Sequence, residues 1–146
     1  MSKQLRIVLL IILALILVGG YAGYRLYNKP YADMITAQPD FTLSASDLLD
    51  DFTFDEAAAN QKYYEKIVQV NGKIVALEKG DQGKYTLVLY DSMSGIRCLL
   101  NDQTSEKMDT VQIKPGIKIT VKGNYAGYDD LFSNVLLNRC IVVKKD

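Results

Sequence analysis

Lys66-Ile-Val-Gln-Val-Asn-Gly-Lys-Ile-Val-Ala-Leu77 is the stretch on which the fold turns. Val68 and Val70 alternate with polar neighbours, Gly72 interrupts, and Ile74 and Ala76 resume the pattern. A period of two over this length is the signature of a half-buried strand. A glycine inside a long strand marks a bulge or coil, where the strand bends to serve two sheets.

Working outward from this strand, four more follow toward the C-terminus. Glu78-Lys-Gly-Asp-Gln-Gly83 reads as a turn, and Lys84-Tyr-Thr-Leu-Val-Leu-Tyr90 as the second strand. Asp91-Ser-Met-Ser-Gly95 turns into a third, Ile96-Arg-Cys-Leu-Leu100. The polar segment 101–110 contains Ser105-Glu-Lys-Met108, expected as a short helix. After the Lys114-Pro-Gly116 turn, Ile117-Lys-Ile-Thr-Val-Lys-Gly123 alternates cleanly as the fourth strand. Residues 124–130 are expected to be a loop, and Val135–Val143 the fifth strand. A glycine-bent first strand and a helical segment after the third describe a mainly β protein with a five-stranded OB-fold barrel. Strand count alone would also fit an SH3-like barrel or small sandwich. Closure removes the two edges that an open sheet would expose to pairing.

Upstream, Ser44-Ala-Ser-Asp47 and Thr53-Phe-Asp-Glu56 have the spacing of helix N-termini. They predict two short helices or one bent helix between about Ala45 and Tyr63. Residues 28–43 hold two prolines without clear periodicity and are expected to be a linker.

The first thirty residues carry a different pattern. Lys3 and Arg6 precede a run from Ile7 to Tyr24 with no charge, and Arg25 closes it. Those 18 residues would rise roughly 27 Å as a helix, close to the thickness of a bilayer's hydrocarbon core. Tyr21, Tyr24 and Tyr27 stand where an interfacial aromatic belt belongs. A cleaved signal peptide is the competing reading, but no clean small-residue cleavage site follows. The expected organisation is a transmembrane signal anchor over residues 1–27, a linker over 28–43, and an OB-fold domain with its N-terminal helix over 44–146. Flanking positive charge is tied across the span. A short basic tail before an apolar run favours a single-pass inner-membrane protein with a periplasmic domain.

Charge and composition limit the chemistry. The net charge is zero, yet residues 1–29 carry +4, residues 30–61 carry −7 and the remainder +3. The chain has no histidine, which excludes Ser-His and Cys-His nucleophiles and histidine metal sites. Two cysteines are too few for a disulfide framework. Cys98 and Cys140 lie on strands that neighbour each other in an OB barrel, so they are either a candidate disulfide or two buried thiols. The acidic cluster Asp47, Asp50, Asp51, Asp55 and Glu56 lacks calcium-loop spacing, and no metal or cofactor is expected. Tyr90, Arg97, Lys118 and Lys122 are the candidate ligand face, from outward positions on strands two to four. Tyr125 and Tyr128 are candidate loop contacts for a protein or glycan. One stacking tyrosine and a barrel charge of +3 make nucleic acid an unlikely ligand.

Several segments carry a family resemblance: Ala58-Ala-Asn-Gln-Lys-Tyr63, Lys66–Ile74, Arg97-Cys98, Pro115–Gly123 and Leu137-Asn-Arg-Cys140. Over residues 45–143 they resemble the tRNA_anti-like family. The resemblance implies a bacterial OB-fold domain, often behind an N-terminal anchor or lipoprotein signal, and no catalytic residues. No cysteine follows the apolar run, in departure from lipoprotein members, which leaves the helix as the anchor. The resulting expectation is a non-enzymatic, membrane-anchored binding or assembly module, accessory to another envelope protein. The alternative is a weak oligonucleotide or oligosaccharide binder.

Overall fold

The computed structural model describes residues 2–28, 33–91, 93–102, 104 and 113–145. They fall into two compact units, Met1–Ala32 and Asp33–Asp146.

The first unit is one α-helix, α1 (Lys3–Tyr27). Ser2 caps it, its hydroxyl accepting from the Leu5 N–H at 3.4 Å. Its 25 residues rise about 37 Å, enough to cross a hydrocarbon core of ~30 Å. Every one of its side chains is exposed, and the helix is long and apolar enough to span a membrane.

The second unit runs β1 (Phe41–Ser44), α2 (Ala45–Phe54), α3 (Glu56–Tyr63), β2 (Ile67–Lys79), β3 (Tyr85–Leu89), β4 (Ile96–Leu100), β5 (Lys118–Asp129) and β6 (Asn134–Lys145). The long strand β2 does what its glycine suggested. Residues Ile67–Lys73 pair with β5, and Ile74–Lys79 pair with β3. The register shift falls between Ile74 and Ala76, just beyond Gly72. A Cβ on Gly72 would come within 3.0 Å of the Ala45 Cβ, so the missing side chain admits helix α2. β3 pairs with β4, β4 with β6 in parallel, and β6 with β5, which closes a five-stranded barrel. Leu87, Leu89, Ile96, Cys98, Leu100, Ile119, Val121 and Leu137 fill it.

Two sequence expectations change here. The stretch 28–43 is not all linker: Met34 is buried, and Phe41–Ser44 form β1, parallel to β2. β1 pairs with the first half of β2, on the edge that β3 leaves open farther along, and so covers an exposed pairing edge. The Asp40 carboxylate accepts from the Ile67 N–H at 2.8 Å and starts that pairing. Second, residues 124–129 are strand, not loop, because β5 continues its pairing with β6 through successive register shifts. The expected helix at Ser105–Met108 lies outside the described residues.

The helical segment is two helices. Ser44 caps α2, accepting from the Asp47 N–H at 3.2 Å, and Asp55 caps α3, accepting from the Ala58 N–H at 3.0 Å. Asp55 also ends α2, its extended backbone breaking the run.

Candidate functional site

The outer surface of β3 and β4 has the alternation expected of it. Thr86, Val88, Arg97 and Leu99 face away from the core residues Leu87, Leu89, Ile96, Cys98 and Leu100. The four expected ligand-face residues are not gathered there. Strand β5 is separated from β3 and β4 by β2 on one side and β6 on the other, so its lysines stand on another wall. Lys118 is exposed and lies opposite Lys73 of β2. Lys122 is buried, its ammonium donating to the Ala37 carbonyl at 2.7 Å. That bond removes Lys122 from any ligand face and ties the segment before β1 to the barrel. Tyr90, just past β3, is half-exposed, has a left-handed backbone and donates its N–H to the Lys73 carbonyl at 3.0 Å. Arg97 is ion-paired with Glu78 of β2 across the outer face. Both partners are partly exposed, so the pair is worth about 1 kcal/mol or less.

Tyr125 and Tyr128 are packing residues. Phe52 of α2 stacks on Tyr128 at 4.7 Å between ring centroids, on Tyr125 at 5.7 Å and on Tyr63 at 5.8 Å. Phe41 adds an edge contact to Tyr63 at 5.0 Å. The Tyr125 hydroxyl donates to the Asn60 side-chain oxygen, and burial, with help from nearby Glu56, pushes its pKa to about 12. The Asp51 carboxylate binds α2 to α3: the Lys62 ammonium donates to it at 2.7 Å and the Tyr63 hydroxyl at 2.5 Å. The hydrogen bond from Lys62, and then that from Tyr63, hold Asp51 below its ordinary pKa. Burial raises Tyr63.

An open cleft of about 800 Å³ lies where the β3–β4 turn meets the tip of the β5–β6 hairpin. Met93 and Ser94 form one side, Asp129 and Leu131–Asn134 the other, and Arg97 contributes to the wall. Met93 is 82% exposed, Leu131 85% and Phe132 64%, so three large apolar side chains rim it uncovered. The backbone beneath is tied down. The side-chain oxygen of buried Asn134 accepts from the Gly95 N–H at 2.9 Å, and the Val135 N–H donates to the Gly95 carbonyl at 3.0 Å. The Asp129 carboxylate accepts from the Leu131 N–H at 3.1 Å and shapes the hairpin tip. Of the cleft residues, Arg97 was singled out from sequence. Leu131-Phe132 between Asp129-Asp130 and Ser133-Asn134 was the available signal for the rest: two large apolar residues inside a turn-forming polar segment. Among the described residues no group of three or more acidic or cysteine side chains could hold a metal ion.

A closed five-stranded barrel with two helices packed on it defines an OB-fold domain. The chain belongs to the tRNA_anti-like family, whose model matches residues 1–141, a longer span than the resemblance over 45–143 suggested. Among solved structures it is similar to a proposed nucleic acid-binding lipoprotein from Klebsiella pneumoniae. That likeness has 22% identity and a TM-score of 0.57, covering 79% of this chain and 99% of the other. It is also similar to asparaginyl-tRNA synthetase from Entamoeba histolytica, at 12% identity and a TM-score of 0.42, over 56% of this chain and 22% of that one. A search of curated proteins finds no match.

Proposed function

We propose that this chain is a non-enzymatic, membrane-anchored module of the cell envelope, with its OB domain outside the cytoplasm and its cleft docked on a partner protein. The observation that carries this reading is the uncovered rim of Met93, Leu131 and Phe132 around Arg97. Fully burying one such side chain contributes about 1.5–3 kcal/mol, so a partner that covers the rim gains substantially. Protein interfaces centre on apolar and aromatic side chains with an arginine among them. The exposed apolar helix α1 supports the anchoring, and Lys3 and Arg6 before it support a cytoplasmic N-terminus.

A second reading is a single-strand nucleic acid ligand, favoured by what the Klebsiella protein is proposed to bind. Phe132 and Tyr90 are exposed rings, but neither lies within strands β3 or β4, whose outward residues include no aromatic. Stacking contributes about 1–3 kcal/mol per base, so one or two rings make a weak platform.

One experiment separates the two. A photo-crosslinking residue is placed at Phe132, and another at exposed Tyr64 of the full chain, in native membranes. Docking on protein gives a discrete protein adduct from position 132 and none from 64. Nuclease-sensitive adducts from 132 establish the second reading, and no adduct from 132 removes the cleft as a site. In parallel, the purified chain in nanodiscs is titrated with a labelled single-stranded oligonucleotide at low and high salt. Salt-dependent binding abolished by Arg97→Ala also establishes the second reading.

A further inference from the structure

Outside the cleft, the two thiols of the barrel occupy an arrangement that ordinary strand alternation would not produce.

On β6, Leu137 points into the core, and plain alternation would then send residue 139 inward and Cys140 out. Instead Asn138 and Arg139 are both exposed and Cys140 is fully buried. One extra residue on β6 causes this. Cys98 lies opposite Leu137 but Leu100 opposite Cys140, and against β5, Lys122 lies opposite Ile141 but Asn124 opposite Asn138. Arg139 takes the left-handed backbone of such a bulge, at φ 54°. The bulge turns Cys140 into the same buried cluster as Cys98, which stands on the neighbouring strand β4 two residues before Leu100, the residue opposite Cys140. Gly123 clears the space: a Cβ there would lie 2.5 Å from the Cys140 sulfur. Both thiols are free in this structure, and neither is exposed. The seam they face each other across is the parallel β4–β6 pairing, without which the barrel stays open.

We infer that Cys98 and Cys140 are an oxidisable pair that closes as a disulfide across the β4–β6 seam and locks the barrel shut. The inference that it closes in the cell rests on the extracytoplasmic placement proposed above, since disulfides persist there. The oxidant is a disulfide of a thiol–disulfide exchange protein. One cysteine thiolate attacks it, forming a mixed disulfide and releasing one oxidant sulfur as a thiol. The second cysteine then attacks the first and releases the other. Two electrons pass to the oxidant, and the two protons lost by the cysteines end on its thiols. Because both sulfurs are sealed in the folded barrel, the exchange takes place on the newly exported chain before closure.

The test uses the full-length chain in detergent, unfolded and refolded with a mixture of reduced and oxidised glutathione. Thiols are then alkylated in denaturant and the protein is weighed. The expected result is no alkylation, a mass about 2 Da below the dithiol, and two alkyl groups after reduction. The bridge closes a loop of about 40 residues, so reductant should lower the Tm by roughly 10–15 °C. The Cys98→Ala, Cys140→Ala double variant should show no reductant dependence. Two alkylated thiols after oxidative refolding overturn the inference, wherever the protein resides. A bridge formed in refolding but two free thiols in protein taken from native membranes overturns the extracytoplasmic placement instead.

Discussion

The stem and the tip of the β5–β6 hairpin carry the same kinds of side chain in opposite circumstances. On the stem, Tyr125 and Tyr128 stack on Phe52, beneath helix α2. At the tip, Leu131 and Phe132 stand in solvent beside Met93. Aromatic burial on the stem stabilises the fold through area removed from water and ring contacts. The same residue types at the tip contribute little to the folded chain alone, and their free energy is available to whatever covers them. The comparison teaches that this domain covers its apolar side chains along the stem and leaves them without intramolecular cover at the tip, where the proposed docking cleft lies.

The sharpest way to break that contrast is a matched pair of truncations. Phe52→Ala should lose about 3–5 kcal/mol, because it deletes the ring on which Tyr63, Tyr125 and Tyr128 stack. Phe132→Ala should stay within about 0.5 kcal/mol of the parent. Urea unfolding of the two variants measures both, and equal losses would erase the distinction between stem and tip.

A smaller effect concerns the segment before β1. Lys122→Ala removes the buried ammonium that donates to the Ala37 carbonyl. The expected loss is about 1.5–3 kcal/mol, the usual worth of a charged hydrogen bond. It should appear locally as faster amide exchange or proteolysis around residues 33–40, and unchanged protection there would mean that β1 and Asp40 suffice to hold the segment. The smallest effect is on pH dependence. The folded pKa of Tyr125, at about 12, is raised above its ordinary value of 10.0. Its contribution is therefore complete below about pH 10 and is lost as pH rises through the folded value. Tyr125→Phe should flatten the alkaline decline in stability over that window, read by urea unfolding at a series of pH values, and an unchanged decline would show that Tyr125 does not carry it.

Much of the architecture could be read from patterning. The two-residue period of 66–77, 84–90, 96–100, 117–123 and 135–143 located all five barrel strands, and the Ser44 spacing located the start of α2, whereas the Thr53-Phe-Asp-Glu56 spacing fell two residues short of the Asp55 cap and left two helices or one bent helix open. These are local signals: alternation and capping depend on residues within a few positions of one another. β1 leaves no local signal, because Phe41–Ser44 is only four residues and is held by pairing with a later strand. Alternation puts Lys122 on the outer side of its strand, next to inward Val121. What covers that wall is a segment 85 residues earlier in the chain, and no local pattern reports it.

The chain's own order of residues thus settled the alternating core of each barrel strand, the helical segment and the apolar span, since those choices are made by nearest neighbours and by transfer from water, while β1 and the 124–129 end of β5 came from pairing with other strands. Folding in three dimensions decided which outward residues stay outward. It covered Lys122 and the paired tyrosines, left Leu131 and Phe132 bare, and used one extra residue in β6 to turn Cys140 toward Cys98. Burial is a property of surfaces brought together from distant parts of the chain, and only their meeting can assign it.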